Sequence, residues 1–297
     1  MKIYIKEHKN HAGKWIYAGY KSAWEQLGYD VEYYSDLHDI KEENYQLMAI
    51  DADVNFSNIS KLEKADKVYL YVQPNRFPPP WGSHPNFVSL CHPSVIDEII
   101  KMDNVHKWAF GIITDFHDKW GDVNEIPLAF DSVNYAPAEN EKYQFDVCFI
   151  GGWANNGFDE KRKIMIQHLS PFKDSGLKCG FFIDRGISHA EENLILSNSK
   201  LAINIHDAYQ RTLGLDTNER TFKSLGLTGL LVSDTISQIE NLFPEMPMYD
   251  SPDEMMNLVK KYIDMAPQDV IDLKVANRKK ILDDHTYISR AKYMRDL

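Results

Sequence analysis

The chain has 297 residues, of which 43% are hydrophobic and 26% are charged. This mixture is typical of a folded protein and disfavours disorder, and the length predicts two domains of about 150 residues each. No apolar run approaches the ~20 residues of a membrane-spanning helix. Met1–Lys6 is too charged for a signal peptide. We therefore expect no membrane span and a cytoplasmic location.

The formal net charge is −11, which makes the chain a poor general binder of nucleic acid, because such affinity comes largely from neutralised phosphates. Residues 1–21 are the exception, with five lysines and one glutamate. This segment is either a contact for an anionic ligand or a solvated strand edge and loop. The three cysteines are widely spaced and form no CxxC, so we expect neither a disulfide framework nor a zinc site.

The first half alternates strands and helices. A helix is predicted between Ile16 and Gly28, where apolar residues recur at helical spacing, and Pro93 opens another. Between the first strand and the first helix, Glu7–Lys14 is predicted to be a long loop, and such loops often carry function. Strands are predicted at Lys2–Lys6, Val31–Tyr34, Leu47–Ile50, Val68–Val72, Phe87–Leu90 and Trp108–Ile113.

Tyr135–Tyr143 is polar and lacks apolar periodicity, so we predict a domain boundary there, with domains at 1–140 and 141–297. The α/β alternation then restarts, and two α/β domains imply a cleft whose ligands lie beyond the carboxyl ends of the strands. Strands are predicted at Phe145–Ile150, Leu177–Ile183, Leu201–His206 and Leu230–Ser233, and helices at Glu160–Leu169, Ala190–Ser197, Glu219–Leu225 and most of Pro252–Leu297.

Two features of the second half point to a bound phosphate. Gly151 and Gly152 follow a strand and precede a helix, where glycines let a phosphate approach the backbone and the helix N-terminus. A plain turn explains them equally well. Arg220 lies in the first turn of a predicted helix, where a cation opposes the helix dipole unless an anion is bound beside it. Asp216 and Glu219 have the spacing of a capping box for that helix.

Several other polar residues follow predicted strands. Asn204 and His206 lie near the end of one strand, although a lone histidine there is more often structural than catalytic. Asp115 and His117 follow the strand that ends at Ile113 and are candidate proton acceptors. His11, in the long first loop, is a rival candidate for the same role.

Asp51 and Asp53 form a DxD pattern directly after a predicted strand. Such a pair can hold a divalent cation and a nucleoside diphosphate. The pattern is very common by chance, however, and the change from strand to turn explains both aspartates. We therefore predict no metal site.

Five segments carry a resemblance to a known family: Phe145–Gly152, Leu196–His206, Asn218–Asp234, Tyr249–Met256 and His285–Ala291. In order and spacing they resemble the C-terminal nucleotide-sugar domain of GT-B glycosyltransferases, in particular the spore maturation (CgeB-like) type. The resemblance implies an α/β fold of two Rossmann-like domains that face a central cleft. It also implies that the helix at the end of the chain crosses back to the first domain.

The same resemblance implies an enzyme that moves a sugar from a nucleotide-diphosphate sugar to a hydroxyl acceptor. In GT-B enzymes, helix N-termini and basic side chains usually stabilise the leaving diphosphate, so we expect neither a metal nor a cofactor. The donor-binding residues implied are Gly151, Gly152, Asn204, His206, Arg220 and Thr221.

Lys223 stands where that family commonly has a glutamate that binds the donor ribose. Its amine can either contact a phosphate or pair with Glu219 as a surface salt bridge. The basic charge near Glu7–Lys14 suggests an anionic acceptor, such as a phosphorylated glycan or glycoconjugate, with nucleic acid ranked below it. Three alternatives stay open: a viral-type enzyme that glycosylates a modified DNA base, a nucleotide-sugar epimerase, and a non-catalytic nucleotide-sugar binding protein.

Overall fold

The computed structural model describes residues 1–9, 11–76, 90–112, 114–152, 160–207, 210–211 and 216–297. Contacts between Cα atoms divide the chain into two compact units. The first unit holds Met1–Pro127 and Tyr287–Leu297, and the second holds Leu128–Thr286. The boundary predicted at residues 140 and 141 lies inside the second unit, because Tyr143 donates a hydrogen bond of 3.0 Å to Glu191 on a helix of that unit.

Each unit is built on a parallel sheet. The described strands of the first unit have the order β2-β1-β3-β4-β5-β6, and those of the second have the order β11-β10-β9-β7-β8. The first six are β1 (Lys2–Lys6), β2 (Asp30–Tyr34), β3 (Gln46–Ile50), β4 (Lys67–Tyr71), β5 (Val105–Ala109) and β6 (Asn124–Glu125). The others are β7 (Val147–Gly151), β8 (Cys179–Ile183), β9 (Leu201–Asn204), β10 (Leu231–Asp234) and β11 (Met248–Tyr249).

Helices connect these strands and cover the sheets. In the described part of the chain, those before β7 are α1 (His11–Gln26), α2 (Ser60–Lys64), α3 (Pro93–Ile99) and α4 (Thr114–His117). Those after β7 are α5 (Glu160–Leu169), α6 (His189–Asn198), α7 (Glu219–Leu227), α8 (Ser237–Leu242), α9 (Pro252–Ile263), α10 (Pro267–Asp284) and α11 (Tyr287–Asp296). None of the helices in the described ranges is both long enough and apolar enough to cross a membrane.

The α/β alternation is confirmed, with local differences. Helix α1 begins at His11, so the predicted loop ends earlier than Lys14. Gly13 allows this, because a Cβ there would lie 2.8 Å from Nδ1 of His8, whose ring packs over the helix. Strand β9 ends at Asn204 rather than His206, because the backbone N–H of His206 donates to Asp234. Apart from Leu90, which is not in a strand, the predicted strand Phe87–Leu90 lies outside the described residues.

The last helix completes the core of the first unit. The ring of Tyr287 lies 4.8 Å from that of Tyr20, and both side chains are fully buried. Gly19 in α1 leaves the space for Tyr287, because a Cβ at residue 19 would clash with that ring. The C-terminal segment is therefore structurally part of the unit built by the start of the chain.

In the second unit, the central strands are apolar on both faces. Val147, Phe149, Leu201, Ile203 and Val232 are buried on one face, and Cys148, Ala202 and Leu231 are buried on the other. Continuous apolar strands are typical of a parallel sheet that is covered by helices on both sides. Polar side chains at the carboxyl ends of these strands are therefore not explained by the hydrophobic core.

Candidate functional site

The strand order of the second unit reverses between β7 and β9. The chain runs from β7 to β8 on one side of the sheet, and from β9 to β10 on the other. In open parallel sheets, ligands bind outside the carboxyl ends of the strands at such a reversal. The residues at the ends of β7 and β9 therefore form the candidate site of this unit.

Arg220 spans this reversal from the first turn of α7. Its Nε donates to the carbonyl of Ile150 on β7, and its Nη1 donates to Oδ1 of Asn204 on β9 at 2.6 Å. The guanidinium lies 4.7 Å from the ring centre of Phe149. A Cβ on Gly151 would clash with Nη2 of Arg220. A side chain at residue 151 would therefore displace the guanidinium from this position, and the two predicted site residues are in contact.

The positive charge of Arg220 has no ion-pair partner within the described ranges. Burial lowers the pKa of its guanidinium, while Asp207 nearby opposes that shift. Asp207 itself pairs with Lys161, and Asp234 pairs with Arg211. A cation placed at a helix N-terminus without its own carboxylate is a favourable contact for an anion, because the helix dipole adds to its charge.

Lys161 is a second cation at the same site, and the sequence analysis missed it. Its side chain is only 5% exposed, and its Nζ donates to the carbonyl of Ile205 just beyond β9. Asp207 lies 3.3 Å from Nζ. Burial lowers the pKa of Lys161 to about 8, and the charge of Arg220 adds to that shift. Its position in the first turn of α5 could have identified it, because a cation there opposes the helix dipole, as was argued for Arg220.

Asn204 forms the inner wall of the site. Its amide is fully buried and pairs with the amide of Asn218 through bonds of 3.0 and 3.1 Å. Its Nδ2 also donates to Oγ1 of Thr221 at 2.9 Å. Because Asn204 is satisfied by protein groups, its visible role is to hold Arg220 in place. Thr221 is likewise fully buried, and its hydroxyl bonds that of Thr217 at 2.7 Å.

His206 is held in one protonation state. Its Nδ1 donates to Asp234 at 2.6 Å. Its Nε2 accepts from the hydroxyl of Thr217 at 2.8 Å and from the backbone N–H of Asn218 at 3.3 Å. A backbone N–H can only donate, so Nε2 carries no proton. Burial lowers the pKa of His206 as well. Both nitrogens of the neutral ring are therefore hydrogen-bonded within the protein. Its role is structural, because it connects Asp234 to Thr217 and Asn218.

Lys223 lies in a buried ion triplet. Its Nζ is 3.1 Å from Glu192 and 3.2 Å from Glu219, and it lies over the ring of Tyr135. The two carboxylates raise the pKa of Lys223 against the effect of burial. The pairing with Glu219 is therefore confirmed, but the expected surface bridge is wrong, since Lys223 is only 4% exposed. Contact with a phosphate would require it to leave two carboxylates.

The predicted capping box at α7 is also wrong. The N-cap is Asn218, and its side chain makes no capping bond, because it pairs with Asn204. Glu219, the first helical residue, pairs with Lys223. The tertiary contacts of these side chains replace the local ones that the spacing suggested.

The residues proposed as proton acceptors lie in the first unit. Asp115 is exposed in α4, and its backbone carbonyl accepts from Arg76 at 2.8 Å. His117, at the end of α4, is buried. His11 begins α1, and its side chain lies outside the described residues.

The DxD residues have different partners. Asp53 pairs with Lys6 at 3.0 Å, whereas Asp51 is almost fully buried and accepts from the backbone N–H of Gln73. In the part of the chain that the structure describes, no three histidine, cysteine, aspartate or glutamate side chains cluster as metal ligands.

A family model described as glycosyl transferase-like matches residues 138–296, more than half of the chain. The chain belongs to this glycosyltransferase family. The matched segment includes the whole site around Arg220 and Lys161. The predicted resemblance to glycosyltransferases is thereby confirmed at the level of the family. No curated protein matches the chain.

Solved structures with low sequence identity show the fold. T4 phage BGT in complex with UDP-glucose matches 100% of this chain and 98% of its own, with 13% identity and a TM-score of 0.56. The N-terminal domain of Candida albicans trehalose-6-phosphate phosphatase matches 98% and 76%, with 6% identity and a TM-score of 0.53. TarM matches 85% and 54%, with 12% identity and a TM-score of 0.51. The predicted GT-B fold is confirmed, and this family member is an enzyme.

Proposed function

We propose that this glycosyltransferase transfers a sugar from a nucleoside-diphosphate sugar to a hydroxyl acceptor. The observation that carries the proposal is a pair of cations, the half-buried Arg220 and the buried Lys161, at the strand reversal of the family-matched unit. One carboxylate, Asp207, is the ion-pair partner of Lys161, and none pairs with Arg220 among the described residues. A diphosphate would supply the missing negative charge.

The chemistry explains why cations are needed there. When the bond from the anomeric carbon to the diphosphate oxygen breaks, its electron pair goes to the nucleoside diphosphate, whose negative charge grows. Fixed donors aimed at such a group stabilise the transition state. The guanidinium of Arg220 offers Nη2 to a phosphate, and the start of α7 adds its dipole. Because these groups already supply positive charge, we propose transfer without a metal ion or a cofactor.

The nucleotide that we propose is a uridine diphosphate. T4 phage BGT, which matches the whole chain in fold, was solved in complex with UDP-glucose. We retain the finer assignment to the CgeB-like type, the cytoplasmic location and the anionic glycan or glycoconjugate acceptor as parts of this proposal. The net charge of −11 favours such an acceptor over duplex DNA.

Titration calorimetry with UDP tests the donor site. Arg220→Met and Lys161→Met are each expected to weaken UDP binding at least tenfold, since a lost hydrogen bond to a charged group costs about 1.5–3 kcal/mol. Lys200→Met is the matched control, because this exposed lysine precedes β9 at the opposite edge of the sheet and pairs with Asp146. Unchanged affinity in both site variants, or no UDP binding by the wild type, would contradict the proposal.

Glycosylation of DNA is the second candidate. One observation favours it: this chain is similar in fold to a solved structure described as the DNA modifying enzyme beta-glucosyltransferase. The match covers 100% of this chain and 98% of the other. Binding of duplex DNA that weakens steeply with salt would support this candidate. If no binding of duplex DNA is detected at low salt, the DNA candidate is rejected and the glycan or glycoconjugate acceptor is retained.

A further inference from the structure

Helix α10 of the second unit exposes an apolar stripe formed by Ile271, Val275 and Leu282. These side chains are 52%, 59% and 52% exposed, and at 3.6 residues per turn they fall within about 40° of the helix circumference. The opposite face of α10 packs against α7 and contains the fully buried Ile281. Isolated exposed apolar side chains are ordinary on a protein surface. Three that share one helix face form a patch of the kind that partners cover.

A cavity of about 300 Å³ adjoins the first turns of α10. Val270 and Ile271 line it on the helix side, and Leu201 and Leu230 line it where β9 and β10 begin. Lys200 is the only charged residue among those that line it. The size is within the range of cavities that hold small organic groups. Because Ile271 belongs both to this lining and to the stripe, the cavity and the stripe form one continuous apolar surface.

This surface is complementary to a second copy of itself. Ile271 and Leu282 lie at nearly equal distances from the middle of α10. When two copies of α10 pack antiparallel about a two-fold axis at their midpoints, Ile271 faces Leu282 of the partner subunit. The partner's leucine then lies at the mouth of the cavity, and the same contact recurs at the other end of the helix pair. Two-fold symmetric interfaces are the commonest kind in homo-oligomers.

The charges beside the stripe fit the same arrangement. Asp272 and Lys279 border it on one side and are both exposed. In an antiparallel pair, the same flanks of the two helices meet, so Asp272 lies beside Lys279 of the partner subunit, and the pair occurs twice. In a parallel pair, each of these charges would lie level with its own copy. Within the chain, Lys279 pairs with Asp283, an exposed contact of little energy that a second carboxylate can share.

We propose that the chain forms a homodimer in which α10 packs antiparallel against α10 of a second copy, with Leu282 of the partner subunit at the cavity. The 18 residues of α10 span about 27 Å, so the contact lies at the low end of the size range of specific interfaces. We therefore expect a dissociation constant of about 1–100 µM. The dimer uses none of the residues around Arg220, so the inference is independent of the proposed function.

Sedimentation equilibrium of the full-length chain between about 1 µM and about 1 mM tests the association. The wild type should pass from the mass of one chain to that of two across this range. Val275→Asp and Leu282→Asp should each weaken the association at least about tenfold, because a charge would enter the apolar contact. Ile166→Asp is the matched control, since Ile166 is a 51% exposed apolar residue of α5 in the same unit. This control should associate as the wild type does.

A charge reversal distinguishes this interface from other ways of losing a dimer. Asp272→Lys and Lys279→Asp should each weaken the association about 3-fold to 30-fold, because like charges then meet at both ends of the helix pair. The double variant restores opposite charges and should regain most of the wild-type affinity. A wild type that stays monomeric at about 1 mM would overturn the inference. So would a dimer that tolerates both aspartate variants of the stripe, an equal loss in Ile166→Asp, or a double variant that associates no better than the single ones.

Discussion

The buried carboxyl group of Asp51 should make the stability of the protein depend on pH. Its pKa rises from an ordinary 3.8 to about 7 in the folded protein, because burial disfavours the charged form. The unfolded chain releases this proton near pH 4, whereas the folded chain holds it until about pH 7. The wild type therefore loses stability as the pH rises through this window, and above it the full cost remains. Asp51→Asn removes the titration.

The size of the effect follows from the shift. About 3 pKa units at about 1.4 kcal/mol each correspond to a cost of ~4 kcal/mol above pH 7. The new amide N–H groups lack acceptors and cost about 1–3 kcal/mol at every pH. We therefore expect Asp51→Asn to unfold at higher denaturant than the wild type at pH 8, and at lower denaturant near pH 4. The titratable groups around Asp51, namely Asp53, Tyr17 and Cys91, are present in both proteins.

Urea unfolding at pH 5, 6, 7 and 8 measures this difference. Tryptophan fluorescence reports on the first unit, which contains Asp51, since Trp24, Trp108 and Trp120 are buried in it. The free energy of unfolding of the variant relative to the wild type should grow by about 1.4 kcal/mol per pH unit between pH 5 and 7. Asp66→Asn, which makes the same change on an exposed residue just before β4, is measured alongside as the control. A difference that does not change with pH would refute the reasoning, because Asp51 would then titrate as an ordinary aspartate.

Three further predictions concern the second unit. Gly151→Ala should displace Arg220 and weaken UDP binding about tenfold or more by calorimetry; unchanged affinity would show that the guanidinium does not depend on this glycine. UDP affinity should fall above pH 8, where Lys161 loses its proton, and Lys161→Met should abolish this dependence. Lys223→Gln should lower stability by about 3–5 kcal/mol in urea unfolding, because two buried carboxylates lose their cation. The UDP affinity of the folded variant should equal that of the wild type. A large loss of affinity would instead indicate that Lys223 contacts a phosphate of the donor.

Much of the architecture follows from local patterns. Apolar strands that alternate with amphipathic helices are visible as periodicities, and Pro93 begins its helix as predicted. Gly28 ends α1 with a φ of +85°, a conformation that glycine adopts without strain. Chemical anomalies were also visible, since a cation in the first turn of a helix needs an explanation wherever it occurs. Arg220 was found in this way and Gly151 by its place between a strand and a helix, and the structure brings them into contact.

Features that depend on contacts between distant segments were not predictable. Asn218 had no predicted role of its own, but it pairs with Asn204 and leaves α7 without the cap that Asp216 and Glu219 suggested. His206 looked like a possible donor contact, but Asp234 and Thr217 use both of its nitrogens. These outcomes depend on which side chains meet, and residues far apart in sequence show no periodicity that reveals their meeting.

The candidate site and the buried Asp51 show the same division. The order of residues along the chain was enough to predict two α/β units and a phosphate-binding residue, because helices, strands and dipoles arise from neighbouring residues. The environments of Lys161 and Asp51 arise only on folding. Burial in a sheet removes water from each side chain, and the partners that packing supplies or withholds set its charge. The sequence contains the aspartate, but only its burial in the folded protein raises its pKa to about 7.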